Sequence, residues 1–315
     1  MYKIILFIAI AFFLSSCKKK VVEIVPTLTI IDDLSINGAN DIRYISYISR
    51  DICFAATDSC IYKTINGGGT WVSIDVEGNF LCRGIAFFDE LNGMCLMDIK
   101  LYTTHDGGET WNFKGYGDFV FVNEDGIGFV GDCSSTYCDL QKTYNKGETF
   151  SNLIQFPLDA SLRGFRFMEN KILIINDDAQ IEGYNLSMMN KFDLDINANY
   201  DEFPRGIYMT NNDTVVVGLN GLIMDPDLYL DVMKRSNYSN NYDYYDIDGN
   251  DDYQICVGEN IISTNLDIAS ENEWNPVFDI NGNGFDKLFR VIRFIEKDKF
   301  LLGGSNGYLI IGTIL

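Results

Sequence analysis

HDGGETW, residues 105–111, interrupts a stretch of alternating apolar and polar residues. Two other stretches share its pattern: INGGGTW, residues 65–71, and YNKGETF, residues 144–150. The closing aromatics stand 40 and 39 residues apart. A fixed period of that size indicates a repeat architecture.

Seven segments of the chain stack on this period, beginning at Arg43, Arg83, Gly117, Arg163, Arg205, Asp243 and Arg290. Each opens with a strand in period-2 alternation. A polar turn follows, then an apolar run and a further short strand. Units of roughly 40 residues with several short strands and no helical periodicity predict an all-β, seven-bladed β-propeller. The last segment has three strands before Leu315, while Thr27 to Ile36 forms an unclaimed strand ahead of the first segment. Closure removes exposed sheet edges, so residues 27–31 are expected to pair with residues 308–312 and complete the last blade.

The quoted stretches fall after the third strand of their units. Asp106, Asn66 and Asn145 are suited to accept backbone N–H bonds within a tight turn. Gly108, Gly68 and Gly147 permit positive φ. Trp111, Trp71 and Phe150 are placed to pack between sheets. The pattern resembles the Asp-box, or BNR, repeat, and Ser263 to Trp274 resembles a degenerate further copy. The rhythm of the whole mature chain resembles seven-bladed propellers of the photosystem II stability/assembly factor family and, more distantly, sialidases. The first resemblance implies a binding module without catalysis. The second implies, as the alternative, a glycoside hydrolase or carbohydrate-binding protein. The Arg-Ile-Pro motif that marks the first sialidase arginine does not occur in this sequence.

The chain has 315 residues, 47% hydrophobic and 14% aromatic, which suffices for a large core. Its net charge of −21 argues against nucleic acid as a partner, because phosphate backbones require Lys and Arg. With His105 the only histidine, and that in a turn, His-dependent catalysis and His-metal centres have little support. No cofactor fingerprint is present.

The N-terminus reads as an export signal. Lys3 is followed by an apolar run from Ile4 to Leu14, too short to span a bilayer. Leu14-Ser15-Ser16-Cys17 resembles a bacterial lipobox, which implies cleavage before Cys17 and lipid on its thiol. The expected organisation is a lipoprotein signal over residues 1–17, a tether over 18–26 and a propeller over 27–315. The product would be a monomer in the cell envelope, on the periplasmic or cell-surface side of the outer membrane, touching the membrane only through its anchor.

After export, disulfides are permitted. Cys53 with Cys60 and Cys133 with Cys138 are both hairpin candidates, the second pair the stronger one. Two acidic stretches space oxygen-bearing side chains as calcium loops do: Asp246, Asp248 and Asn250, then Asp279, Asn281 and Asn283. Neither completes a twelve-residue calcium loop, and both read first as hydrated inter-strand turns rich in Asn, Asp and Gly.

One constellation recurs in register. Arg43, Arg83, Arg163, Arg205 and Arg290 each open a blade. First strands line the channel of a propeller, so these arginines are expected to meet at one mouth. There they would take a protein partner's acidic segment or another acidic ligand, or brace neighbouring blades by pairing with carboxylates.

Overall fold

The computed structural model describes residues 26–314, apart from 77–80, 124, 135, 159–161, 169–170, 177–180, 186–189, 195–202, 210–213, 228–231, 236–240, 251–252, 266–273 and 280. The expected signal segment over residues 1–17, with Cys17, and the expected tether up to residue 25 lie outside the described residues.

Seven four-stranded antiparallel sheets form a ring. Blade 1 holds Tyr44–Tyr47, Cys53–Ala56, Ile61–Thr64 and Val72–Ile74, from the channel outward. Blade 2 holds Cys82–Phe87, Gly93–Met97, Lys100–Thr104 and Asn112–Tyr116. Blade 3 holds Phe119–Val122, Gly128–Cys133, Tyr137–Thr143 and Ser151–Pro157. Blades 4, 5 and 6 begin with Leu162–Met168, Pro204–Met209 and Tyr244–Gly249. Blade 7 holds Phe289–Glu296, Lys299–Gly304 and Leu309–Ile314, and its outer strand is the N-terminal Leu28–Asp33. The closure expected from the sequence is present: Leu28 pairs with Ile314 and Asp33 with Ile310, about a bulge at Ile31.

The second strand of each blade is apolar without alternation because both faces of each sheet are covered. Cys53 and Ala55 face the blade 7 seam, while Phe54 and Ala56 face blade 2. All seven core clusters follow this rule, each straddling one seam between neighbouring blades. The buried thiols Cys53, Cys82, Cys95 and Cys256 belong to these seams as small hydrophobes. Burial pushes Cys53 and Cys82 up to about 12. Cys53 and Cys60 are free, and Cys133 is bridged to Cys138, its direct cross-strand neighbour.

The three quoted turns share one geometry. In blade 2 the buried Thr104 hydroxyl donates to Asp106 and accepts the N–H of Gly108 at 2.9 Å. Asp106 Oδ1 accepts the N–H of Thr110 at 2.9 Å, and its Oδ2 accepts the Thr110 hydroxyl. Asn66 and Asn145 repeat this, with Nδ2 donating to Thr70 and Thr149. Gly108 has a φ of +95°, and a Cβ there would come within 2.7 Å of Ile74 on the preceding blade. Each aromatic likewise reaches back one seam. The Trp71 indole donates to the Leu34 carbonyl, Trp111 meets Phe87 edge-on among blade 1 and 2 residues, and Phe150 joins the cluster of blades 2 and 3. Trp111 is half-buried rather than enclosed. The degenerate copy lies largely outside the described residues, though Trp274 is buried in the seam of blades 5 and 6.

Burial opposes ionisation of Asp106, but hydrogen bonds from the Thr110 hydroxyl and N–H and from Thr104 outweigh it. They hold the carboxyl at about 2, against an ordinary 3.8. The group therefore stabilises the fold above pH 4 and ceases to do so as pH falls toward 2. Asp106→Asn recreates the geometry of Asn66 and Asn145. Its melting temperature at pH 7 is expected to match the wild type, and its loss of stability between about pH 4 and 2 to be shallower. Thermal melts across that range check both.

Candidate binding site at the channel mouth

The first strand of each blade is the inner edge of its sheet, so half of its backbone polar groups face the neighbouring blade or the channel. Side chains of the preceding blade supply partners. The Ser46 hydroxyl accepts the N–H of Phe87, Asp246 accepts that of Ile292, and Asp248 accepts that of Phe294, all at 2.9–3.0 Å. Asp246 and Asp248 also take arginines. Arg293 reaches Asp246 at 2.5 Å, and Arg166 of blade 4 passes blade 5 to reach Asp248 at 2.5 Å. On its way the Arg166 guanidinium lies 6.0 Å from the Tyr208 ring centre. Blades 4 to 7 are thus joined by charge within the channel.

The first acidic stretch is strand rather than the turn expected of it. Asp246 and Asp248 lie in the strand Tyr244–Gly249, not in a loop; Asp248 gives one oxygen to Arg166 and the other to the Phe294 N–H, while Asp246 Oδ2 takes both Arg293 and the Ile292 N–H. Asn250 donates to the Lys297 carbonyl and accepts the Tyr253 N–H. In the second stretch Asp279 accepts the N–H groups of Asn283 and Asn281, which lower its pKa, and Asn283 Nδ2 caps its other oxygen. Among the described residues no cluster of three or more His, Cys, Asp or Glu is placed to hold a metal.

The blade-opening residues occupy one structural position. In blades 2, 4, 5, 6 and 7 the first strand bulges at its start, and the extra residue is Arg83, Arg163, Arg205, Tyr245 and Arg290. Arg43 and Asp118 sit equivalently in blades 1 and 3, each donating N–H to the carbonyl opposite the following residue. The sequence register had Gly117 and Asp243 at the third and sixth positions; strand pairing puts Asp118 and Tyr245 there. Asp243 instead accepts the Asn220 N–H. The glycine after several of these arginines lets inner strands approach. A Cβ on Gly206 would lie 3.0 Å from the Asp246 Cα.

The ring residues differ in how far they are neutralised. Arg43 Nε lies 2.7 Å from Asp58, off the N–H axis, an ion pair rather than an aligned hydrogen bond. Arg290 uses Nε and Nη2 on Asp41, both at 3.4 Å, and its guanidinium lies 4.8 Å from the Tyr245 ring centre. The Asp118 carboxylate accepts the Cys133 N–H. Arg83 and Arg205 are exposed and form no ion pair among the described residues. The side chain of Arg163 lies outside what is described. Neighbouring cations act on shared phenols. Burial holds Tyr44 at about 12, while Arg43 and Arg83 both pull it down. Burial and Asp243 raise Tyr245, against Arg290 and Arg205.

The fold is a seven-bladed β-propeller, similar to that of solved structures of the photosystem II assembly factor YCF48. YCF48 from Cyanidioschyzon merolae superposes with a TM-score of 0.71 at 13% identity, over 90% of this chain and 98% of that one. YCF48 bound to a D1 peptide gives 0.70 at 13% identity, over 90% and 94%. The computationally designed Ika8 protein gives 0.60 at 11% identity, over 89% and 99%. These likenesses are of fold. No family model and no curated protein sequence matches the chain.

Asp248→Ala strips Arg166 of its partner and leaves the Phe294 N–H unpaired. The expected cost is about 2–4 kcal/mol, somewhat under the range for a fully buried pair because Arg166 keeps partial exposure. Combining Arg166→Met with Asp248→Leu should recover most of it. Urea unfolding of both variants measures the difference.

Proposed function

We propose that this chain is a non-catalytic binding or assembly module, exported and held at a membrane by lipid on Cys17, that captures an acidic segment of a protein partner at its channel mouth. The observation that carries this reading is the pair of exposed arginines, Arg83 and Arg205, which form no ion pair among the described residues, in a chain of net charge −21. Gathering like charges costs energy unless anions neutralise them. Guanidinium forks match carboxylates, and at an exposed mouth they remain available to an incoming one. Exposed Leu81, Ile99 and Tyr242 lie in segments bonded around the same mouth, which favours a peptide over a bare anion. The fold shared with YCF48, a protein known bound to a D1 peptide, is consistent with such a partner. Arg166 and Arg293 are engaged by Asp248 and Asp246, which argues against a sialidase-like carboxylate clamp inside the channel. The turns around Asp106 and its counterparts are, on this reading, structural Asp-boxes.

Replacing Arg83, Arg163 and Arg205 together with Gln should weaken capture of partners from detergent-solubilised membranes while the melting temperature holds. Unchanged capture, or unfolding, would assign the ring a purely structural role. For the anchor, Cys17→Ser is expected to move the protein from the membrane to the soluble fraction. Retention on membranes would overturn the lipid assignment.

A further inference from the structure

Six of the seven mouth positions carry charge: five arginines and Asp118. The exception is Tyr245, flanked in the ring by Arg205 on blade 5 and Arg290 on blade 7. Its ring lies against the Arg290 guanidinium at 4.8 Å, and its phenol feels both cations. Arg290 therefore has two supports, the Tyr245 face and the carboxylate of Asp41. The carboxylate contacts are long, 3.4 Å each, and use only Nε and Nη2. Nη1 makes no hydrogen bond among the described residues.

A free arginine side chain explores many rotamers and loses that freedom on binding. An aromatic face restrains the guanidinium plane without occupying its N–H donors. A second carboxylate in place of the ring would hold the cation but cancel its charge. We propose that Tyr245 is a positioning residue of the mouth, holding the Arg290 guanidinium flat so that its free Nη1 edge and neighbouring Arg205 engage the carboxylates of one acidic peptide. This rests on the mouth reading given above and adds to it a residue that bears no charge itself.

The test uses the mature chain and hexaglutamate as probe, with affinity measured by fluorescence anisotropy at several salt concentrations. Tyr245→Leu keeps bulk but removes the ring, and should weaken binding about threefold to fivefold, the scale of an exposed cation–π contact. Tyr245→Phe keeps the face and should bind as the wild type does. Because neither change removes a cation, the dependence of affinity on salt should stay the same, whereas Arg205→Gln should reduce it. If Tyr245→Leu binds like the wild type while the triple arginine variant does not, the positioning role is overturned and the mouth stands. Should the triple variant bind as the wild type does, the mouth itself is overturned, and the role of Tyr245 with it. A Tyr245→Phe variant as weak as Tyr245→Leu would place the effect in the hydroxyl and also overturn the proposal. Melting temperatures of all variants separate loss of binding from loss of fold.

Discussion

Every blade must bury both of its faces, and in a ring it can do so only against two neighbours. Seven sheets give seven seams, and each seam has its own cluster of apolar side chains. The last seams depend on the two ends of the chain meeting, because Leu28–Asp33 supplies the fourth strand of blade 7. Without that strand Leu309–Ile314 would be an open edge and the blade 6–7 and 7–1 clusters would lose Leu28 and the adjoining Leu34. Ring closure thus explains why the middle strands are apolar on both faces and why buried cysteines are tolerated in them.

Apolar seams alone leave polar edges to be satisfied, and the chain does this differently in its two halves. Blades 1 to 3 are laced at the periphery. Their threonine-aspartate or threonine-asparagine turns dock on the preceding blade, and Lys63 and Lys114 donate to carbonyls of the following one. Blades 4 to 7 are joined in the channel, by Arg166, Tyr208, Asp248, Asp246 and Arg293. The connections between the third and fourth strands of blades 4, 5 and 6 lie outside the described residues, Trp274 apart. The channel ion pairs are sensitive to loss of either member because a charge left alone in a confined channel is poorly solvated.

The same inner strands that need these partners also create the mouth. A bulge adds one residue at the start of the strand and turns its side chain away from both seams. None of the mouth arginines belongs to a seam cluster, so the position is open to residues chosen for binding. That the chain fills it mainly with arginine, against a strongly acidic composition, distinguishes this rim from the rest of the surface.

The architecture was legible in the sequence because it is written locally and repeated. The spacing of Trp71, Trp111 and Phe150, the period-2 strands and the spare strand before Arg43 determined the blade number and the manner of closure. Cys133 and Cys138, opposite each other across a short hairpin, were legible for the same reason. The mouth was legible only where arginine marked it. Counting from the strand start put Gly117 and Asp243 in the ring, one and two residues from Asp118 and Tyr245; in blade 6 a bulge at Tyr245 breaks the two-residue rhythm on which such counting relies. The second strands, GMCLM and QICVG, carry the correct register, since Leu96 and Val257 pair with the residues just after Arg83 and Tyr245. Asp246 and Asp248 looked like loop ligands because their spacing is common to turns and strands alike. Only the tertiary structure, by bringing Arg166 and Arg293 from distant blades to the same point, decided that they hold the channel together.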